Sequence, residues 1–228
     1  MTRGIFIAGN ESTLFTAAAK EAAKRVSFFV SAHIPNRFTP LPLTEPQSTE
    51  NNEYLKWNPS SAISARTLIL AAENRLKKID DAILICSPPA VFKNPETLTP
   101  QEIEILVDDH IKGWFFLIRE LIIYFRKSGS GLLTLITQGD SPEAEKKRKN
   151  DKNNTQLDIL GPSAYASFYN FSQGIMKTQE NEPYKVMGFT GTEPGTEEAF
   201  AAWFFKIVDE AAPKNTGCWH KYKKKGIF

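Results

Sequence analysis

Short apolar runs alternate along this chain with stretches whose apolar residues recur every three or four positions. Residues 4–8 (GIFIA) are few, continuous and apolar, as in a strand buried on both faces. Behind them Leu14, Ala17, Ala18 and Ala22 fall on one helical face, and Asn10 or Ser12 can cap that helix. The same reading predicts strands at 26–32 (VSFFVSA), 54–57, 81–86 (DAILIC), 131–137 (GLLTLIT), 185–189 (KVMGF) and 218–222. It predicts helices at 63–78, from Pro100 through Phe125, at 163–176 and at 197–211, the last carrying Phe200, Trp203, Phe204, Ile207 and Val208. Strand and helix alternating over this length predict an α/β class. The sheet is doubly wound and mainly parallel, with helices on both faces, in a single domain over residues 1–228.

One predicted helix is apolar on more than one side. Ile111, Trp114, Phe115, Ile118, Leu121, Ile122 and Phe125 form a stripe, and Phe116, Leu117, Ile123 and Tyr124 widen it. Such a helix is covered on more than one side. The sheet supplies one cover. The second is either a neighbouring helix or another subunit, and the latter implies a homo-oligomer, a dimer or tetramer. Two connections lack any periodicity: the proline-rich stretch 35–46, and the polar, lysine-rich stretch 140–158, which reads as a mobile loop.

Composition adds bounds rather than an activity. Of 228 residues, 41% are hydrophobic and 24% charged, enough for one sizeable core. Cys86 and Cys218 are the only cysteines, too few for a disulfide framework, and no Cys/His spacing suggests a metal. The N-terminus lacks the apolar region of a secretory signal, and Arg119 and Glu120 break the most apolar segment, so a cytoplasmic chain outside the membrane is expected. The last fifteen residues hold five lysines and no acid; subtracting +5 from the net +2 leaves −3 for the remainder. That tail, with Lys146, Lys147, Arg148 and Lys149, is either a solvated surface or a contact for an acidic partner.

Several marks occur in an order that resembles the short-chain dehydrogenase/reductase family over nearly the whole chain. The family's TGxxxGxG turn corresponds to Ala8-Gly9-Asn10-Glu11-Ser12-Thr13-Leu14-Phe15, with one glycine of three present. Its NNAG stretch falls at Cys86-Ser87-Pro88-Pro89 or one residue offset, and its helical asparagine at His110. Its catalytic serine falls near Thr137 or Gln138, and its YxxxK motif at Tyr165–Tyr169. Its PG turn survives as Pro194-Gly195-Thr196, and Thr216-Gly217 resembles the family's end. The resemblance implies a Rossmann-like fold and an oxidoreductase ancestry. It places cofactor contacts at Gly9, Asn10, Ser12, Thr13, Arg37, Ser87, Pro194, Gly195 and Thr196, and acid–base positions at Tyr165, Gln138, His110 and Tyr169.

The departures bear on chemistry. Glycines in a dinucleotide turn let the backbone approach a pyrophosphate, and Thr13 and Phe15 add side chains there. Helix N–H groups with Ser12 or Thr13 can still hold a phosphate. The end of the second predicted strand, Ser31-Ala32-His33-Ile34, lacks the acid that would hold an NAD ribose, whereas Arg37 can meet the 2′-phosphate of NADP. In active relatives a lysine holds the cofactor ribose and lowers the tyrosine pKa, since a free phenol titrates near ~10. Tyr169 stands where that lysine belongs, and one further register on is Gln173. Losing a positioned acid–base group lowers a rate by about 10²–10⁴. Three readings follow. The first is a catalytically impaired relative with a weakened nucleotide pocket. The second is an active NAD(P)-dependent oxidoreductase for a carbonyl or alcohol, using Tyr165, Gln138 and a protonated His110. The third is an interaction module using its basic loop and tail, with Trp219 and Tyr222 as the tail's aromatics and nucleic acid the less favoured partner.

Overall fold

The computed structural model describes residues 3–34, 37–38, 48–138, 158, 160–191 and 195–222. Seven strands form one all-parallel sheet: β1 (Ile5–Asn10), β2 (Phe29–Ile34), β3 (Asn52–Leu55), β4 (Asp81–Cys86), β5 (Leu132–Gln138), β6 (Lys185–Gly191) and β7 (Trp219–Lys221). Their spatial order is β3-β2-β1-β4-β5-β6-β7. The chain therefore reverses its winding between β1 and β4, where a parallel sheet opens a crevice at its carboxyl edge. Each predicted strand is present; β1 runs two residues further than expected, and β2 and β3 shift by two or three.

Both faces of the sheet are covered, as apolar residues on both sides of the strands require. On one face lie α1 (Thr13–Ala23) and α6 (Glu197–Glu210), burying Leu14, Ala18, Ala22, Phe200, Phe204 and Val208 with Ile5, Ile7, Ile83 and Phe189. On the other lie α2 (Ala62–Leu76), α4 (Gly113–Ser128) and α5 (Leu160–Thr178), with Leu68, Trp114, Leu121, Phe168 and Ile175 against Phe6, Val30, Leu84 and Leu133. Ser12, not Asn10, caps α1, its hydroxyl accepting from Phe15 N–H at 3.1 Å.

The long helix from Pro100 is three pieces. A capping box between Thr99 and Glu102 starts α3 (Pro100–Ile105). A π-helical stretch, Leu106–Lys112, follows and runs directly into α4. Gly129 ends α4 in the left-handed region at φ 72°, its N–H returning to Phe125 O. The wide apolar face is largely covered from within the chain: Trp114, Leu117, Ile118, Leu121 and Phe125 are buried, and Phe115 stacks on Phe171 of α5 at 3.9 Å. Ile103, Val107 and Ile123 are exposed.

Charges close the amino-terminal edge. Arg3 pairs with Asp81 of β4 and with Asp209 of α6, and Arg25 joins Asp209 (2.7 Å) to Glu21 (2.8 Å). Burial and the hydrogen-bonded positive charge of Arg3 act on Asp81 in opposite directions, and burial wins, raising its pKa. Trp114 meets Phe168 edge-on at 5.3 Å and is fully buried between α4 and α5. Trp114→Ala is expected to lower unfolding free energy by about 3–5 kcal/mol, measured by urea denaturation with unchanged slope.

Candidate functional site

The carboxyl edge of the sheet places polar groups from β1, β4, β5 and two helices in one hydrogen-bonded chain. Asn10 ends β1 and is 3% exposed. Its Oδ1 accepts from Ser87 N–H at 2.8 Å, which turns its amide nitrogen toward His110 Nδ1, 3.0 Å away. Asn10 therefore donates, Nδ1 accepts, and the imidazole carries its proton on Nε2. Beyond Ser87 the chain continues: Ser87 Oγ donates to Gln138 Oε1 at 3.3 Å, and Gln138 Nε2 donates to Glu197 Oε1 at 3.2 Å. Sequence reasoning named Asn10, Ser87, Gln138 and His110 separately, and the fold brings them together.

His110 lies in the π-helical stretch and is 1% exposed. Burial, aided by the nearby positive charge of Arg37, lowers its pKa to about 4. The ring is neutral at physiological pH, which corrects the expectation that it could supply a positive charge beside Tyr165. Its Nε2–H has no partner among the described residues, a burial that costs about 1–3 kcal/mol when nothing satisfies it.

Arg37 does not stand free for a phosphate. It grips Asp109 with two bonds of 2.6 Å, and that carboxylate, 1% exposed, raises the pKa of Arg37. Burial pushes the Asp109 carboxyl above its ordinary value while Arg37 pulls it back. Next in the chain, Phe38 stacks on His110 at 5.9 Å.

The tyrosine pair sits on α5. Tyr165 is buried and nearly parallel to Tyr169, with ring centroids 6.0 Å apart and planes 8° from parallel. The Tyr169 hydroxyl accepts from Gln173 Nε2 at 3.0 Å, and its ring leans on Trp219 at 4.7 Å. Thr137, the alternative to Gln138, turns away, sharing a 3.1 Å hydrogen bond with Thr190.

At the turn after β1, Phe15 is 4% exposed and lies against Gly9; a Cβ on Gly9 would come within 2.6 Å of its ring. Phe15 also packs on His33 at 4.0 Å, and His33 meets Tyr54 at 5.1 Å, so three rings line the ends of β1, β2 and β3. Ser12 is engaged as a cap, Thr13 is exposed, Gly195 has φ 80° and Thr196 is buried. Pro194, residues 146–149 and the tail lysines 223–225 lie outside the described residues. Reading the sequence missed Asp109, Glu197 and Phe38. It also missed Asp158, whose carboxylate accepts from Gly161 N–H (3.0 Å) and Val91 N–H (3.2 Å), joining the start of α5 to the stretch after β4. Adjacency to His110 was a signal for Asp109; Glu197 follows directly on the PG turn. Among the described residues no group of three His, Cys, Asp or Glu side chains could hold a metal ion, and no helix is long and apolar enough to cross a membrane.

No protein-family model and no curated protein sequence matches this chain. Solved structures do. The NADH-dependent reductase A1-R′, complexed with NAD, is 13% identical with a TM-score of 0.72, over 97% of this chain and 95% of that one. A short-chain dehydrogenase from Mycobacterium smegmatis is 10% identical with a TM-score of 0.73, over 99% and 94%. A Serratia marcescens short-chain dehydrogenase/reductase variant is 12% identical with a TM-score of 0.67, over 96% and 95%. The doubly wound sheet is thus a Rossmann-like one, and in particular this chain has the short-chain dehydrogenase/reductase fold.

The two histidines of the cleft carry a pH signature. Burial lowers His33 as well as His110 from 6.5 to about 4. Between those values the unfolded chain binds protons that the folded one refuses, so stability rises with pH. The contribution of His110 is full above 6.5 and is lost as pH falls through 4, about 3 kcal/mol in all. Urea midpoints taken at about pH 7 and about pH 5 are expected to fall with acid, and to fall less in a His33→Phe/His110→Phe double variant.

Proposed function

We propose that this chain is a short-chain dehydrogenase/reductase-fold protein that has lost hydride transfer, its nucleotide pocket weakened to the point that a dinucleotide no longer binds. The observation that carries this reading is Tyr169. It holds the place of the lysine, is bonded to Gln173 and leans on Trp219, so its phenol belongs to a packed stack and offers no positive charge to Tyr165. A nearby cation is what turns a phenol into a base near neutral pH.

The residues present do not fit a dinucleotide. Phe15 takes the room that a glycine-rich turn leaves beside β1. β2 ends without an acid for a ribose, and Arg37 is committed to Asp109. The amino terminus of α6, whose N–H groups suit a phosphate, begins with the carboxylates of Glu197 and Glu198. The reading of a working oxidoreductase draws on one observation in its favour: Gln138 and His110 share a single hydrogen-bonded chain. His110 being neutral and covered weighs against it.

The protein is expected to be cytoplasmic and to assemble with copies of itself, through the exposed Ile103, Val107 and Ile123 beside the half-buried Phe116 and Ile122. Sedimentation velocity should give a mass of at least twice the chain's, and Val107→Glu with Ile123→Glu should shift it toward one chain.

For the chemistry, purified protein is expected to oxidise neither NADPH nor NADH with a panel of small aldehydes and ketones. Tyr169→Lys alone is expected to leave that null result unchanged, because Phe15 still fills the turn. Wild-type turnover above the blank, or a saturable thermal shift with NADPH, would remove the reading.

A further inference from the structure

Arg37 and Phe38 follow β2, yet both are held across the cleft on the π-helical stretch. Arg37 makes its two bonds to Asp109, and Phe38 stacks on the next residue, His110, with planes 26° apart. Phe38 also packs on the small apolar cluster of Val91, Leu106, Leu160 and Ala164. Two consecutive residues thus clasp two consecutive residues. The His110 ring on which Phe38 stacks carries an Nε2–H that is shut off from water, with no hydrogen-bond partner among the described residues. A fold rarely leaves such a donor unsatisfied.

We propose that Arg37 and Phe38 form a latched cover over His110, with the Arg37–Asp109 ion pair as the latch. The two partners of the latch differ in surroundings: the Asp109 side chain is 1% exposed and that of Arg37 is 44% exposed. The buried carboxylate resists losing its counter-ion. The guanidinium already touches water, so opening starts with Arg37 leaving Asp109. Because Asp109 and His110 adjoin, its departure frees the Phe38 ring that follows it. π-Helical turns inside longer helices recur at functional sites. Opened, the cleft presents a neutral imidazole N–H to a hydrogen-bond acceptor on an incoming molecule. The cover needs no nucleotide, so it stands apart from the loss of hydride transfer.

Carbethoxylation of histidine by diethyl pyrocarbonate, mapped peptide by peptide, reads the cover directly. Asn10 engages Nδ1 and the cover shields Nε2, so His110 in the folded wild type is expected to react at least about tenfold more slowly than in the urea-unfolded chain. Phe38→Ala and Asp109→Asn, which break the stack and the latch separately, should each raise the His110 rate about tenfold and leave the His33 rate unchanged. Arg37→Gln, at the half-exposed end of the pair, should do the same without altering a buried side chain. Near-UV circular dichroism identifies the variants that keep a packed core. Wild-type His110 reacting at the unfolded rate would overturn the proposal. So would continued protection of His110 in packed Arg37→Gln and Phe38→Ala. A nucleotide titration on the same samples tests the proposed function separately, since NADPH binding would count against that reading while the histidine rates still decide the cover.

Discussion

Phe15 can lie against β1 only because Gly9 has no side chain. This contact sets the character of the carboxyl edge. In a dinucleotide turn, small residues leave backbone bare for a pyrophosphate. Here one glycine is kept and the space it leaves is filled from within, by a ring that goes on to pack against His33 and so toward Tyr54. The stabilisation is ordinary burial of aromatic surface. Its consequence is that the half of the crevice nearest β1 and β2 behaves as an extension of the core rather than as a socket.

The other half is saturated by hydrogen bonds. Asn10 gives its oxygen to Ser87 and its nitrogen to His110, and Gln138 bridges Ser87 to Glu197. A site that acts on a substrate needs donors and acceptors aimed at the place where charge develops. In this cleft most of them are aimed at each other. Arg37 and Asp109, next to His110 in the cleft, neutralise each other as a pair. In this chain the short-chain dehydrogenase/reductase fold therefore carries a carboxyl edge whose polar side chains largely satisfy one another.

Much of the architecture was legible in the sequence, because buried parallel strands read as continuous apolar runs such as 81–86, and amphipathic helices as stripes such as Leu14 to Ala22. Strand limits drifted where the apolar run outlasts the ladder: 26–28 looks like strand, but β2 begins at Phe29. The π-helical stretch was invisible, since inserting an extra residue per turn leaves composition untouched. Among site residues, Asn10, Ser87, Gln138 and His110 were found because the positions of the resembling family's motifs could be counted along the chain. Asp109, Phe38 and Glu197 were not, because their partners are distant in sequence: 72 residues separate Arg37 from Asp109, and 59 separate Gln138 from Glu197. Arg37 shows the limit most clearly. Its position suited a phosphate, and only the fold reveals the carboxylate already holding it.

Crystals grown in the presence of millimolar NADPH put this account to its most direct test. Phe15 is expected to remain seated on Gly9 and His33, with no dinucleotide density along the carboxyl edge. An adenosine lying where Phe15 packs, with a nicotinamide ring beside Tyr165, would contradict it.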